Sequence, residues 1–286
     1  MKKCPYCGKE YSDDVERCLI DDEVLLGGKA EINQDSKEIT EPEPAVTPSS
    51  KPKIIWSEQN IRIFEIVLIC TIAFGGSILS SIYSYLGNNF DSSPNSSWVV
   101  WDWTIRTLRE ASALGLLWYI LMRRGKSFSD LGLSWAWKDV GWAIILRAGG
   151  SLAFYAVYDA IYYTGLTSIS HKVAHAHIDN ILFGSGVSFA TLMFQFVNPF
   201  FEELIVRAYL MTEIKQLTNS ATKAIIISTV LQTSYHLYQS GPVALAHGAT
   251  FLIWAVFYAK TNRIAPIILA HLYSDVSATL WYMLRQ

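Results

Sequence analysis

Charge is the scarce ingredient of this sequence. Lys, Arg, Asp and Glu make up 17% of its 286 residues, and many of them fall in the first sixty positions. The remainder is therefore more apolar than the 51% hydrophobic average implies. A net charge of −2 leaves no basic excess for a nucleic-acid partner. Cysteine is nearly absent beyond the N-terminus: three of the four lie within the first eighteen residues, and Cys70, inside an apolar run, reads as a small core residue. Residues 1–25 lack the apolar stretch of a cleavable signal peptide, so targeting is expected to come from the first membrane segment. Residues 29–53 lack aromatic residues and are rich in Glu, Pro, Ser, Thr and Lys. Such a segment cannot bury enough apolar area to offset its ordering entropy, and it reads as a disordered tether.

What is present, from Trp56 onward, is apolar sequence in runs of membrane length. A helix needs about 20 apolar residues to cross the ~30 Å hydrocarbon core, and backbone polar groups must be satisfied within the segment. Runs near 61–86, 98–122, 139–163, 182–212, 222–239, 243–260 and 264–284 qualify. The fourth is interrupted by Asn198-Pro199 and is open to being two pieces. The expected fold is an all-α integral membrane protein of about seven transmembrane helices, with a small N-terminal module at 1–28, a linker at 29–56 and the helical domain at 57–286. Basic residues in the loops set the orientation. Lys51 and Lys53 precede the first span, Arg123, Arg124, Lys126 and Lys138 follow the second, Lys215 and Lys223 follow the fourth, and Lys260 and Arg263 follow the sixth. The alternate loops carry only Lys172, which predicts a cytoplasmic N-terminus and an external C-terminus in a cell inner membrane.

In the N-terminal module, Cys4-x-x-Cys7 forms a knuckle that aims two thiolates at one ion, with Gly8 permitting the bend. Cys18-x-x-Asp21 stands where a second Cys-x-x-Cys would complete a tetrahedron. The stretch resembles the short zinc ribbons at the ends of many bacterial membrane proteins, with Asp21 in place of the fourth Cys. Two readings stay open: a zinc site of Cys4, Cys7, Cys18 and Asp21, or a degenerate ribbon with weak or no metal. Either is better suited to binding a cytoplasmic partner or tuning assembly than to chemistry.

Ionisable residues within the later spans read as functional by default, because charge in a bilayer is costly. Asn198 is a good N-cap and Pro199 suits a first helical turn, which would place Glu202 and Glu203 near a helix N-terminus. Glu203 and Arg207, four apart, can pair on one face, while Glu202 is rotated by about 100° from Glu203 and left available as a base. His236 lies deep in the fifth run, and His271-x-x-x-Asp275 puts two polar groups on one face of the last. At 1.5 Å per residue, His236 is roughly 20 Å from Lys223, Glu203 roughly 18 Å from Lys215, and His271 roughly 12 Å from Arg263. These depths agree well enough to predict one polar cavity. His247 has no partner apparent from the sequence, and His171, His175 and His177 read as a solvated external loop.

These residues resemble the CPBP (CAAX protease and bacteriocin-processing, also called Abi) family of intramembrane proteases, over about residues 180–284. Glu202, Glu203 and Arg207 meet its Glu-Glu-x-x-x-Arg motif. His236 meets the His of Phe-x-x-x-His, with Gln232 where Phe is usual. His271 meets His-x-x-x-Asn, with Asp275 for Asn, and Ala208 stands where Gly often follows the Arg. The resemblance implies endoproteolysis of a peptide or protein substrate in or near the membrane. It implies that Glu202 activates water with help from His236, that Glu203 and Arg207 hold the helix, and that His271 and residue 275 stabilise the oxyanion. An ionised Asp275 can only accept hydrogen bonds. Glu202, His236, His271 and Asp275 would also serve as a hard-metal ligand set, so glutamate-base and metal chemistry both stay open. A peptide-binding scaffold or immunity-type factor, and a proton-relay transporter, are the competing readings; the transporter lacks an internal repeat.

Overall fold

A computed structural model of the chain describes residues 2–3, 10–12, 14–17, 57–87, 96–167, 183 and 186–285. Cys4, Cys7, Cys18 and Asp21, the 29–56 linker and the histidines at 171, 175 and 177 lie outside the described residues. The chain divides into two units, residues 1–53 and 54–286. In the first, β1 (Lys2–Lys3) and β2 (Glu10–Tyr11) pair antiparallel, with Lys2 opposite Tyr11 and Lys3 opposite Glu10.

The second unit is a helical bundle. Helix α1 (Glu58–Cys70) starts where the Ser57 side chain accepts from Asn60 N–H, and it runs through a π-helical turn at Thr71–Gly75 into α2 (Gly76–Gly87). Next come α3 (Ser96–Arg123) and, after a short 3₁₀ turn, α4 (Lys138–Tyr163). The Ser127 hydroxyl and N–H cap that turn through Asp130, and both bonds hold the Asp130 carboxyl below its usual range. Helix α5 (Phe189–Glu202), capped by Ser188, passes through a second π turn at Glu203–Tyr209 into α6 (Leu210–Thr218). After the left-handed Asn219 come α7 (Ala221–Ser234), a 3₁₀ turn at Leu237–Gln239, α8 (Gly241–Thr261) and α9 (Ala265–Met283).

Four continuous helices, Glu58–Leu86, Lys138–Tyr163, Phe189–Thr218 and Gly241–Thr261, are long and apolar enough to cross a membrane. Large apolar side chains such as Leu79, Leu86, Leu108, Ile144, Leu152 and Leu245 face outward from the bundle. Such a surface is suited to hydrocarbon rather than to water. The chain is an all-α integral membrane protein. The expected fifth run, 222–239, differs in form. Helix α7 covers about 21 Å at 1.5 Å per residue before the chain turns, which is short of the hydrocarbon thickness.

Two features lock the bundle near the ends of its helices. Glu213 on α6 is buried and takes Arg62 of α1 at 2.8 Å and Arg124, just past α3, at 3.0 Å; Arg124 also pairs with Glu65. The 3₁₀ turn after α3 ends at Gly132, whose φ is +84°. A Cβ built there would lie 1.9 Å from the Asn262 carbonyl oxygen, and Gly132 O accepts from Ile264 N–H at 3.2 Å. Gly132 therefore seats the turn that leads into α9. Gly132→Ala is expected to destabilise the protein by more than the ~1–3 kcal/mol of a strained φ alone. Thermal unfolding in detergent measures this, and an unchanged midpoint would show that the turn can move.

Candidate active site

The site is built on the irregular stretch of the Phe189–Thr218 helix. Asn198 and Pro199 do not open a helix as the sequence predicts: α5 begins at Ser188, and Pro199 lies inside it. A helix-interior proline offers no N–H to the carbonyl four residues back. From Glu203 the backbone widens into a π turn, with Leu210 N–H bonding Ile205 O five residues back. Glu202 and Glu203 thus sit at mid-helix, and their charge is met by side chains rather than by a helix N-terminus.

Glu202 is 7% exposed. Its Oε2 accepts from Gln232 Nε2 and from the Tyr235 hydroxyl, each at 2.9 Å. Tyr235 is itself fixed: Phe74 stacks on its ring at 4.8 Å, and its carbonyl accepts from Ser81 Oγ at 2.8 Å. Asn198, with its amide nitrogen turned toward the two acids, donates to Glu202 Oε1 at 3.3 Å and to Glu110 Oε1 at 3.1 Å. Gln232, the residue found where the resembled family has Phe, is fully buried. It joins Glu202 to His236, because its backbone carbonyl also accepts from His236 Nδ1 at 2.8 Å. That bond makes Nδ1 the donor and leaves Nε2 as the nitrogen able to take a proton.

Glu203 and Arg207 are both fully buried, and the expected pairing along one face is present at 2.7 Å. The guanidinium also lies over the rings of Phe251 and Trp254 and reaches Phe251 O at 3.4 Å. The second oxygen of Glu203 accepts from His271 Nδ1 at 2.9 Å, which orients that imidazole. Asp275 Oδ2 is 3.8 Å from His271 Nε2, beyond hydrogen-bond reach. His247, expected to be solitary, packs its ring 5.6 Å from His236 and 4.7 Å from Phe154.

Helices α2, α3 and α5 and the residues just after α7 line a cavity of about 550 Å³. Glu202 and His236 line it, together with Glu110, Asn198 and Tyr235. His271 and Asp275 do not line it, although ligand atoms of Glu202, Glu203 and His271 come within 4.8 Å of one another. The geometry thus gathers Glu202, Glu203, Arg207 and His271 into one cluster, joins His236 to it through Gln232, and leaves Asp275 at its edge.

The comparisons with known proteins bear on this same stretch. Residues 184–277 match the family of Type II CAAX prenyl endopeptidase Rce1-like proteins. The match covers about a third of the chain and takes in all six motif residues, Glu202, Glu203, Arg207, His236, His271 and Asp275. Members of that family are intramembrane endopeptidases, which supports a protease at the level of the family. No curated protein and no solved structure matches the chain.

Ligand atoms of Glu202, Glu203 and His271 lie close enough to share an ion, but the donor set fits a divalent cation poorly. One Glu203 oxygen is neutralised by Arg207, and the other already holds the His271 N–H. A cation brought among these groups would face the guanidinium at close range. Several residues of the site were not singled out from the sequence: Tyr235, Glu110 and, as a hydrogen-bond donor, Gln232. A polar residue four before His236 was one available signal. The second run, 98–122, carries Asp102, Arg106, Arg109 and Glu110, and the reasoning applied to charges in the later spans would have marked them too.

Proposed function

We propose that the chain is an intramembrane endopeptidase in which Glu202 activates the water that attacks a peptide bond. What carries this reading is a buried carboxylate on the wall of a cavity, its Oε2 fixed by two hydrogen-bond donors, with His236 on the same wall. Glu202 Oε1 accepts from the Asn198 amide at 3.3 Å, a single bond that leaves a lone pair to take a proton from water. His236 offers Nε2 as a second proton acceptor. Glu203 and Arg207 hold the π turn in place, and Glu203 fixes the imidazole of His271, to which the resemblance gives the oxyanion role. Asp275 shapes the field at His271 without bonding to it. Seven spans, a cytoplasmic N-terminus and an external C-terminus in a cell inner membrane form the topology of this proposal. Its cytoplasmic part is a zinc-holding module at 1–28 joined to the helices by the 29–56 linker.

The matched family's name supplies the first substrate class to try, a prenylated CAAX peptide. Purified protein in liposomes is given three internally quenched peptides: a farnesylated CAAX peptide, the same peptide without the lipid, and a single-span hydrophobic peptide. Cleavage of any one at a defined bond supports the proposal, and cleavage of none overturns it. In the same preparation, chelation is expected to remove about one zinc per chain, from Cys4, Cys7, Cys18 and Asp21. The cleavage rate should stay within about twofold. Loss of cleavage that returns with added metal would replace the glutamate base with a metal centre.

A further inference from the structure

The cavity has a second acid that the motif residues do not include. Glu110, on α3, is 2% exposed and lies outside the 184–277 stretch. Its Oε1 accepts from the same Asn198 amide that holds Glu202 Oε1, so one side chain spaces the two carboxyl groups two hydrogen bonds apart. Its Oε2 is buried with no hydrogen-bond partner among the described residues. Among those residues Glu110 also has no ion-pair partner: Arg109 donates to Ser77 and Arg106 pairs with Asp102. A buried carboxylate with a bare oxygen and no cation within ion-pair distance is costly, whereas the carboxylic acid leaves no unpaired charge there, and Glu110 lines the same cavity as Glu202.

Resting on the endopeptidase reading, we propose that Glu110 is the general acid that protonates the leaving amine. As water adds to the carbonyl carbon, the C–O bond forms and the water proton passes to Glu202. As the tetrahedral adduct collapses, the C–N bond breaks and nitrogen takes the proton from Glu110. The proton on Glu202 then returns to Glu110 through cavity water, and the cycle closes with one water consumed per bond cut. The division of labour follows from the geometry: the base has a fixed, doubly hydrogen-bonded oxygen, the acid a bare one, and Asn198 sets their separation.

The test compares two quenched farnesylated CAAX peptides that differ only at the scissile link, one an amide and the other an ester. An amide nitrogen must be protonated to leave, whereas an ester oxygen departs with far less help. Glu110→Gln, close to isosteric, is expected to slow amide cleavage about 10²–10³-fold and ester cleavage less than about threefold. Glu110→Asp, which keeps the acid one methylene further back, is expected to fall between wild type and Glu110→Gln on the amide. Equal slowing of both substrates by Glu110→Gln would overturn the acid role in favour of mere positioning, and unchanged amide cleavage would remove Glu110 from the reaction altogether. Should Glu110→Gln fail to fold, Glu110→Asp carries the comparison, and an equal effect on both links is again the overturning result. If wild type cleaves neither peptide nor the unprenylated probes, the endopeptidase reading itself fails and this proposal falls with it.

Discussion

Replacing Glu202 with Gln is expected to reduce peptide cleavage by roughly 10²–10⁴-fold while leaving the protein folded and inserted. The reasoning is local. Gln keeps a carbonyl oxygen that can accept from Gln232 Nε2 and the Tyr235 hydroxyl, so the side chain stays seated in the cavity wall. What it loses is the ability to take a proton from water, because an amide oxygen is a poor base. The expected signature is a fall in kcat with KM and the thermal midpoint in detergent both close to wild type. A rate within tenfold of wild type would mean that another group activates the water. His236 would then be the first candidate, since it shares the cavity and presents Nε2.

The second large effect concerns stability rather than chemistry. Arg207→Leu would leave the Glu203 carboxylate without its cation in a fully buried position, and breaking a buried pair from one side costs about 3–5 kcal/mol. The guanidinium's contacts with the Phe251 and Trp254 rings would be lost as well. Arg207→Leu is expected to give poorly folded protein, and adding Glu203→Gln should recover part of the loss, because the double variant buries no unpaired charge. Thermal unfolding of wild type, both single variants and the double variant closes the cycle. A single-variant loss below about 1 kcal/mol, or a double variant worse than the sum of its parts, would show that the pair is not what holds the π turn.

The sequence shows some of this arrangement clearly and hides the rest for identifiable reasons. The pairing of Glu203 with Arg207 is a matter of spacing on one helix, which needs no knowledge of the fold. The approach of His271 to the paired glutamates was expected from depth along separate helices, and their ligand atoms do come within 4.8 Å. The local reading of Asn198-Pro199 went the other way. Ser, Asn and Pro favour helix starts in isolation, but here the helix runs straight through Pro199 and passes into a π turn at Glu203. That is tertiary context overriding a local preference, and no window of sequence reports it. Gln232 looked like a departure from the family pattern because its partner, Glu202, is thirty residues away. Glu110 was open to the same charge argument within its own span, but its place beside Glu202 depends on α3 packing beside α5, which no single span reveals.

The chamber has two kinds of wall. The residues assigned to bond-breaking by resemblance lie between 202 and 275, yet much of the lining around Glu202 is supplied by Ser77, Ser81, Arg106, Arg109 and Glu110 from upstream helices. On the proposed reading, substitutions along 76–110 that spare Glu110 are expected to change which polypeptide is accepted more than how it is cut. On that same reading, a chimera that kept 184–277 together with Glu110 and exchanged the rest of the upstream helices would inherit the reactivity of one parent and the appetite of the other.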